Sequence, residues 1–112
     1  GMVGLGRESP TIVEADDLEA ELTALDGAPA IVIANAGDVN TGDFDPIARM
    51  ADLADKHRAW LHVDGAFGLF ARLTPEVRQL AEGVERANSV IADGHKWLNV
   101  PYDCGFAFVR DG

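Results

Sequence analysis

Three short apolar runs constrain this chain more than anything else in it: Ala30-Ile31-Val32-Ile33-Ala34, Trp60-Leu61-His62-Val63 and Ser89-Val90-Ile91-Ala92. A strand with one wet face alternates apolar and polar residues. The first run does not alternate, which predicts a strand covered on both faces, as in a parallel sheet flanked by helices. Between the runs the period changes. Asp45 and Pro46 form a cap-plus-proline start, with Asp45 as N-cap. Ile47, Met50, Ala51 and Ala54 follow at helical spacing, joined by Leu53. Thr74-Pro75 opens a second pattern, with Val77, Leu80, Ala81 and Val84 on one stripe. A strand period giving way to a helix period within a few residues marks a βα unit.

The flanks extend this pattern. Pro10 to Ala15 reads as a short strand, and Asp16 and Asp17 offer an N-cap to a helix with Leu18, Leu22 and Leu25 on its stripe. Gly27 and Pro29 end that helix. Ala66 to Phe70 is apolar but broken by Gly68, so it reads as a loop or a short helical turn. Gly105 to Val109 is the last strand. Too few residues join it to its predecessor for a crossover, so it runs antiparallel. The fold class is therefore α/β: five strands, mostly parallel, with flanking helices and a last antiparallel strand. Residues 1–112 read as one partial domain, part of a larger sheet, with Gly1 before Met2 as the remnant of a cleaved tag.

The net charge of −10 argues against nucleic acid or an anionic membrane as partner, since both require a positive surface. No apolar run approaches the roughly 20 residues of a membrane span, and no signal peptide is visible. The single cysteine, Cys104, excludes an internal disulfide and fits a reducing cytoplasm.

Two strands end in acid-glycine, at Asp64-Gly65 and Asp93-Gly94, and Lys96 follows the second. Asp-Gly is a hairpin signal. The residues after Asp64, however, make a poor strand partner for Trp60–Val63. In a parallel sheet both strand ends share one edge, where open α/β sheets bind ligands. Asp64 and Lys96 are then one βαβ unit, about 30 residues, apart. Partial desolvation at such an edge disfavours an ammonium and leaves a nucleophilic amine, as imine chemistry requires. A carboxylate beside that amine suits pyridoxal phosphate, whose ring nitrogen is kept protonated by an acid. His62, in mid-strand, reads as a core histidine turned by alternation away from Asp64. His57 reads as a helix C-terminal residue facing water.

The segments Trp60-Leu61-His62-Val63-Asp64-Gly65-Ala66-Phe67-Gly68 and Asp93-Gly94-His95-Lys96-Trp97-Leu98-Asn99-Val100-Pro101-Tyr102-Asp103-Cys104-Gly105 closely resemble the group II pyridoxal-phosphate-dependent amino-acid decarboxylases. This group includes the aromatic-amino-acid, tyrosine and glutamate enzymes. Their spacing and the Gly37 to Asp45 loop match as well. The resemblance implies part of the large domain of a fold-type I enzyme. Lys96 would carry the Schiff-base link to pyridoxal 5'-phosphate, and Asp64 would bond the pyridinium nitrogen. Ala66 would lie against one ring face, and His95 would help hold the phosphate. It also implies an amino-acid substrate, release of its α-carboxylate as CO₂, and a site completed in a homodimer or higher homo-oligomer. Asp38 and Val39 stand where many members carry a threonine pair, with Asn40 and Thr41 as alternatives, and Gly65 stands where alanine is common. Segments that complete the family's site precede and follow the resemblance, so the 112 residues by themselves are not expected to decarboxylate.

Two other readings are open on the residues. One is a catalytically silent α/β module that works by interaction. The other is a different fold-type I enzyme: an aminotransferase, a desulfurase or an aldolase. A flavodoxin-like or nicotinamide-binding domain is weaker, because no complete Gly-x-Gly-x-x-Gly follows a strand.

Overall fold

The computed structural model describes residue 6 and residues 8–111 of the chain. The reading of Gly1 and of the other opening residues lies outside them. Helix α1 spans Leu18–Ala24, strand β1 Ile31–Asn35, helix α2 Ile47–His57, β2 Trp60–Asp64, β3 Ser89–Asp93 and β4 Gly105–Val109. The strands form one sheet in the order β1-β2-β3-β4. β1 and β2 are parallel, with Ile31 opposite Trp60 and Asn35 opposite Asp64. β2 and β3 are parallel, with Asp64 opposite Ile91. β4 returns antiparallel, with Asp93 opposite Gly105. The α/β class, the parallel order and the reversed last strand agree with the sequence reading.

The core lies on one side of the sheet. Val32 and Ala34 of β1 and Leu61 and Val63 of β2 pack against Ile47, Met50, Ala51, Leu53 and Ala54 of α2. Leu18 and Leu22 of α1 complete that layer. Burying Ile47, Met50 and Leu53 stabilises by about 1.5–3 kcal/mol for each side chain. Leu25, expected on the stripe of α1, falls beyond the last helical turn and is exposed.

Four sequence expectations are corrected. Pro10 to Glu14 has no regular structure, so the sheet has four strands among the described residues. The apolar run of β1 is covered on one face only: Ile31 and Ile33 are 62% and 61% exposed. The side chains of β1 and β2 that join the core with α2 are the alternate ones, Val32, Ala34, Leu61 and Val63. The stripe from Val77 to Val84 is not an α-helix. It forms short 3-10 turns at Arg78–Ala81 and Val84–Arg86, because Gly83 between them adopts φ +94° and breaks the helix. A Cβ at Gly83 would lie 2.6 Å from the backbone of Ala48, so the close seat on α2 requires glycine as well. Finally, Asp45 does not cap α2. Its Oδ2 accepts the backbone N–H of Asn35 at 2.7 Å, tying the start of α2 to the end of β1. Asn35 sits on an edge strand, where its N–H would otherwise go unpaired.

Arg86 seats the last 3-10 turn on α2 through ion pairs to Asp52 and Asp55. This contact leads the chain directly into β3. A 3-10 turn at Leu69–Leu73 follows β2, where a loop or short turn was expected.

Candidate functional site

The carboxyl ends of β1, β2 and β3 lie on one edge because the three strands run parallel. Asp64 is the last residue of β2 and is half-buried. Its Oδ1 accepts the N–H of Ala66 at 3.0 Å, closing a short turn. Among the described residues nothing hydrogen-bonds Oδ2. Ala66 is 9% exposed, and Gly65 donates its N–H to the carbonyl of Ile91 in β3. A Cβ at Gly65 would come within 2.8 Å of both that carbonyl and Leu69 Cβ. The position of Gly65 is therefore tight.

β3 ends at Asp93, and the turn beginning at Gly94 carries His95 and Lys96. Gly94 donates to the Cys104 carbonyl at 2.9 Å, which holds the base of the turn to the start of β4. A Cβ on Gly94 would meet Cys104 Sγ at 2.9 Å and Phe106 at 3.0 Å. Lys96 Nζ lies 2.5 Å from Asp93 Oδ2 and 3.7 Å from the ring centre of Phe67. The hydrogen bond from Lys96 and its positive charge hold the Asp93 carboxyl below the usual range, against a smaller opposing effect of burial.

The His95 ring is fixed by its neighbours. Its Nδ1 lies 2.8 Å from the Cys104 carbonyl oxygen and 3.1 Å from the Cys104 amide, and Tyr102 packs edge-on at 4.7 Å. Its Nε2 lies 3.8 Å from Asp93 Oδ2, beyond hydrogen-bond reach.

The four residues singled out from the sequence thus lie at one edge: Asp64 at the end of β2 and Ala66 just beyond it, His95 and Lys96 after β3. Two neighbours of Lys96 were missed. In the sequence Asp93 reads as a turn former at a strand end, and Phe67 as part of an apolar loop. The three-residue step from Asp93 to Lys96 was the available signal for the first.

Both histidine expectations fail. His62 shares the face of Asp64, since residues two apart on a strand point the same way. Its Nδ1 lies 2.8 Å from Ser89 Oγ, which also accepts the indole N–H of Trp60 at 2.9 Å. This network pins β2 to β3 at the register point where His62 faces Ser89. His57 does end α2, but its Nε2 is buried without a partner among the described residues rather than facing water.

The loop after β1 passes close to the loop after β2. Gly37 has φ +87°, and a Cβ there would lie 3.0 Å from the backbone of Gly68. Asp38 Oδ1 accepts the N–H groups of Asn40 and Thr41, bonds that lower its carboxyl pKa. The Thr41 hydroxyl faces Asp38 and accepts from Asp43, so it serves its own loop. Among the described residues there is no cluster of potential metal ligands, and no helix is long and apolar enough to cross a membrane.

Comparison with known proteins gives a consistent result. A family profile described as the pyridoxal-dependent decarboxylase conserved domain matches residues 7–112. The chain is 35% identical over 120 residues to cysteine sulfinic acid decarboxylase of Rattus norvegicus, covering 97% of this chain and 24% of that protein. Among solved structures, the apo form of mouse CSAD superposes with a TM-score of 0.91 at 32% identity, over 99% of this chain and 26% of that one. The TDC of Oryza sativa, solved with PLP, superposes with a TM-score of 0.79 at 35% identity, over 88% and 22%. The chain spans about a quarter of the length of these proteins.

Proposed function

The chain belongs to the pyridoxal-dependent decarboxylase family, and from that premise we propose that it carries the lysine-bearing part of a pyridoxal 5'-phosphate site. In this reading Lys96 holds the cofactor covalently and Asp64 accepts the N–H of its ring. Ala66 flanks one face of the ring, and His95 contributes to holding the phosphate. The reaction of the whole polypeptide is α-decarboxylation of an amino acid to an amine and CO₂. When bound, the cofactor supplies an electron sink for the bond that breaks at the substrate α-carbon.

The observation that carries the proposal is the shared edge. A half-buried carboxylate ends β2, and the lysine turn leaves β3, its immediate parallel neighbour. The groups available there suit the three functional ends of the cofactor: an amine for the aldehyde, a carboxylate oxygen without a partner among the described residues for the ring nitrogen, and an imidazole nitrogen for the phosphate. Each residue has a defined task. The Ala66 N–H orients the Asp64 carboxylate, so that Oδ2 is the oxygen left to accept. The Cys104 backbone orients the His95 ring. The small side chain of Ala66 leaves room where a larger one would intrude on a planar ligand.

Relatives named for cysteine sulfinic acid, tryptophan and 2,4-diaminobutyrate all match this segment, so it carries the chemistry common to them rather than the choice of side chain. We extend the proposal to a homodimer acting in a reducing cytoplasm. The exposed apolar face of Ile31, Ile33, Trp60 and Val109 and the single cysteine support that extension. The test is covalent trapping. Pyridoxal phosphate followed by borohydride is expected to modify Lys96 and not Lys56, the two lysines of the chain, with Lys96→Ala losing the adduct. Peptide mapping that places the modification on Lys56 alone would reject the assignment.

A further inference from the structure

The Lys96 side chain makes two contacts that favour its cation. The Asp93 carboxylate lies 2.5 Å from Nζ, and Nζ stands 3.7 Å over the Phe67 ring. A carboxylate and an aromatic face both attract an ammonium more than a neutral amine. Addition to an aldehyde needs the opposite state. Nζ must first release one proton to solvent, so that its lone pair can attack the carbonyl carbon. Its two remaining hydrogens then leave with the aldehyde oxygen as water as the C=N bond forms. The contacts that hold the side chain therefore oppose its reaction.

The arrangement is built into the fold. Asp93 is the last residue of β3, fixed by its pairing with Gly105 of β4. Lys96 stands three residues on, in a turn whose first glycine packs against Cys104 and Phe106 too closely to admit a side chain. The titratable groups nearest this pair include His95, with Nε2 3.8 Å from the same Asp93 oxygen, and Asp103, 3.8 Å from His95 Nδ1; Asp64 ends β2 at the same edge, and Asp38 and Asp45 lie past the end of β1. Lys96 and Asp93 are 29% and 25% exposed, so solvent screens the pair only in part.

We propose that Asp93 is a positioning residue for Lys96: its carboxylate holds the amine at the carboxyl edge of β3 in an ion pair that must open before Lys96 adds to an aldehyde cofactor, and thereby sets how fast it adds. This rests on the reading of Lys96 as the cofactor-bearing lysine, and it gives a role to a residue that reading leaves unused.

Competitive labelling tests it. The chain, Asp93→Asn and Asp93→Glu are treated with a trace of acetic anhydride, and acetylation of Lys96 is measured relative to Lys56. Lys56 pairs with Glu19 on α1 and serves as the internal reference. Asp93→Asn keeps the shape and removes the charge. Its Lys96 to Lys56 ratio is expected to rise about 1.5- to fivefold, the span of about 0.2–1 kcal/mol for such an ion pair. Asp93→Glu is expected to stay near the wild-type ratio. Equal ratios in the wild type and Asp93→Asn overturn the proposal. A parallel rise at Lys56 does so too, since it would report general loosening. In a second arm, pyridoxal phosphate and borohydride are expected to trap Lys96 faster in Asp93→Asn by a similar factor. If the acetylation ratio rises but no variant gives a Lys96 adduct, the cofactor reading fails, and with it the role of Asp93 in cofactor addition. If Lys96 is trapped equally fast in both, only the role of Asp93 fails.

Discussion

Replacing Gly65 by alanine tests how tightly the strand ends at the site are packed. Gly65 sits between Asp64 and Ala66, and a Cβ there would approach the Ile91 carbonyl and Leu69 Cβ, each at 2.8 Å. Neither neighbour is the far end of a flexible side chain. One is the backbone of β3, and the other is the first carbon of a side chain in the following 3-10 turn. Relief requires the ends of β2 and β3 to part or the turn to move, an overpacking cost of about 1–3 kcal/mol. Alanine also stiffens the unfolded chain, which returns about 0.4–1 kcal/mol. The net loss is therefore about 1–2 kcal/mol. Gly105, at the start of β4, is the control, because a Cβ there would meet only Asp93 Oδ1 at 3.6 Å and Ala92 O at 4.0 Å, ordinary contacts. Gly105→Ala should be neutral or gain up to about 1 kcal/mol. In urea titrations with a slope of roughly 1.5 kcal/mol/M, Gly65→Ala is expected to unfold about 1 M earlier than the wild type. Gly105→Ala should unfold at or slightly above the wild-type midpoint. Coincident midpoints for the two variants would refute the claim that backbone contact at Gly65 limits this site.

Two further outcomes concern charges. Arg86→Ala removes both ion pairs that seat the last 3-10 turn on α2, and should lower the urea midpoint by an amount that shrinks as sodium chloride is raised; a loss independent of salt would point to side-chain packing instead. Hydrogen bonds and charge from Lys96 and Lys56 lower the folded-state pKa values of Asp93 and Glu19 from their ordinary 3.8 and 4.5. Depressed carboxyl values stabilise the fold above the ordinary range, and that contribution is lost as pH falls through the lowered values. Stability should thus be level from neutral pH to about 5 and decline below about 4, with a shallower decline in the Asp93→Asn, Glu19→Gln double variant. An unchanged acid slope in that variant would contradict the assignment.

The sequence by itself determined the four strands of the sheet, the long helix and the placing of Asp64 and Lys96 at one edge. Each of these follows from local periodicity plus one topological rule: parallel strands present their carboxyl ends together. The buried residues of α2 were legible for the same reason, since a stripe at helical spacing needs only one face to pack against. Tertiary structure decided the rest, because it depends on partners distant in sequence. The Asp45 carboxylate was available as a helix cap, yet the unpaired Asn35 N–H claims it. The stripe from Val77 to Val84 was helical in spacing, but the seat of Gly83 on Ala48 breaks it. Ser89 becomes the partner of His62 only when β2 and β3 pair in register. The contact between Asp93 and Lys96 spans just three residues, but it forms because β4 and the Cys104 backbone fold the intervening turn. Spacing along the chain specifies which face a residue takes; which neighbour it finds there depends on how the elements are brought together.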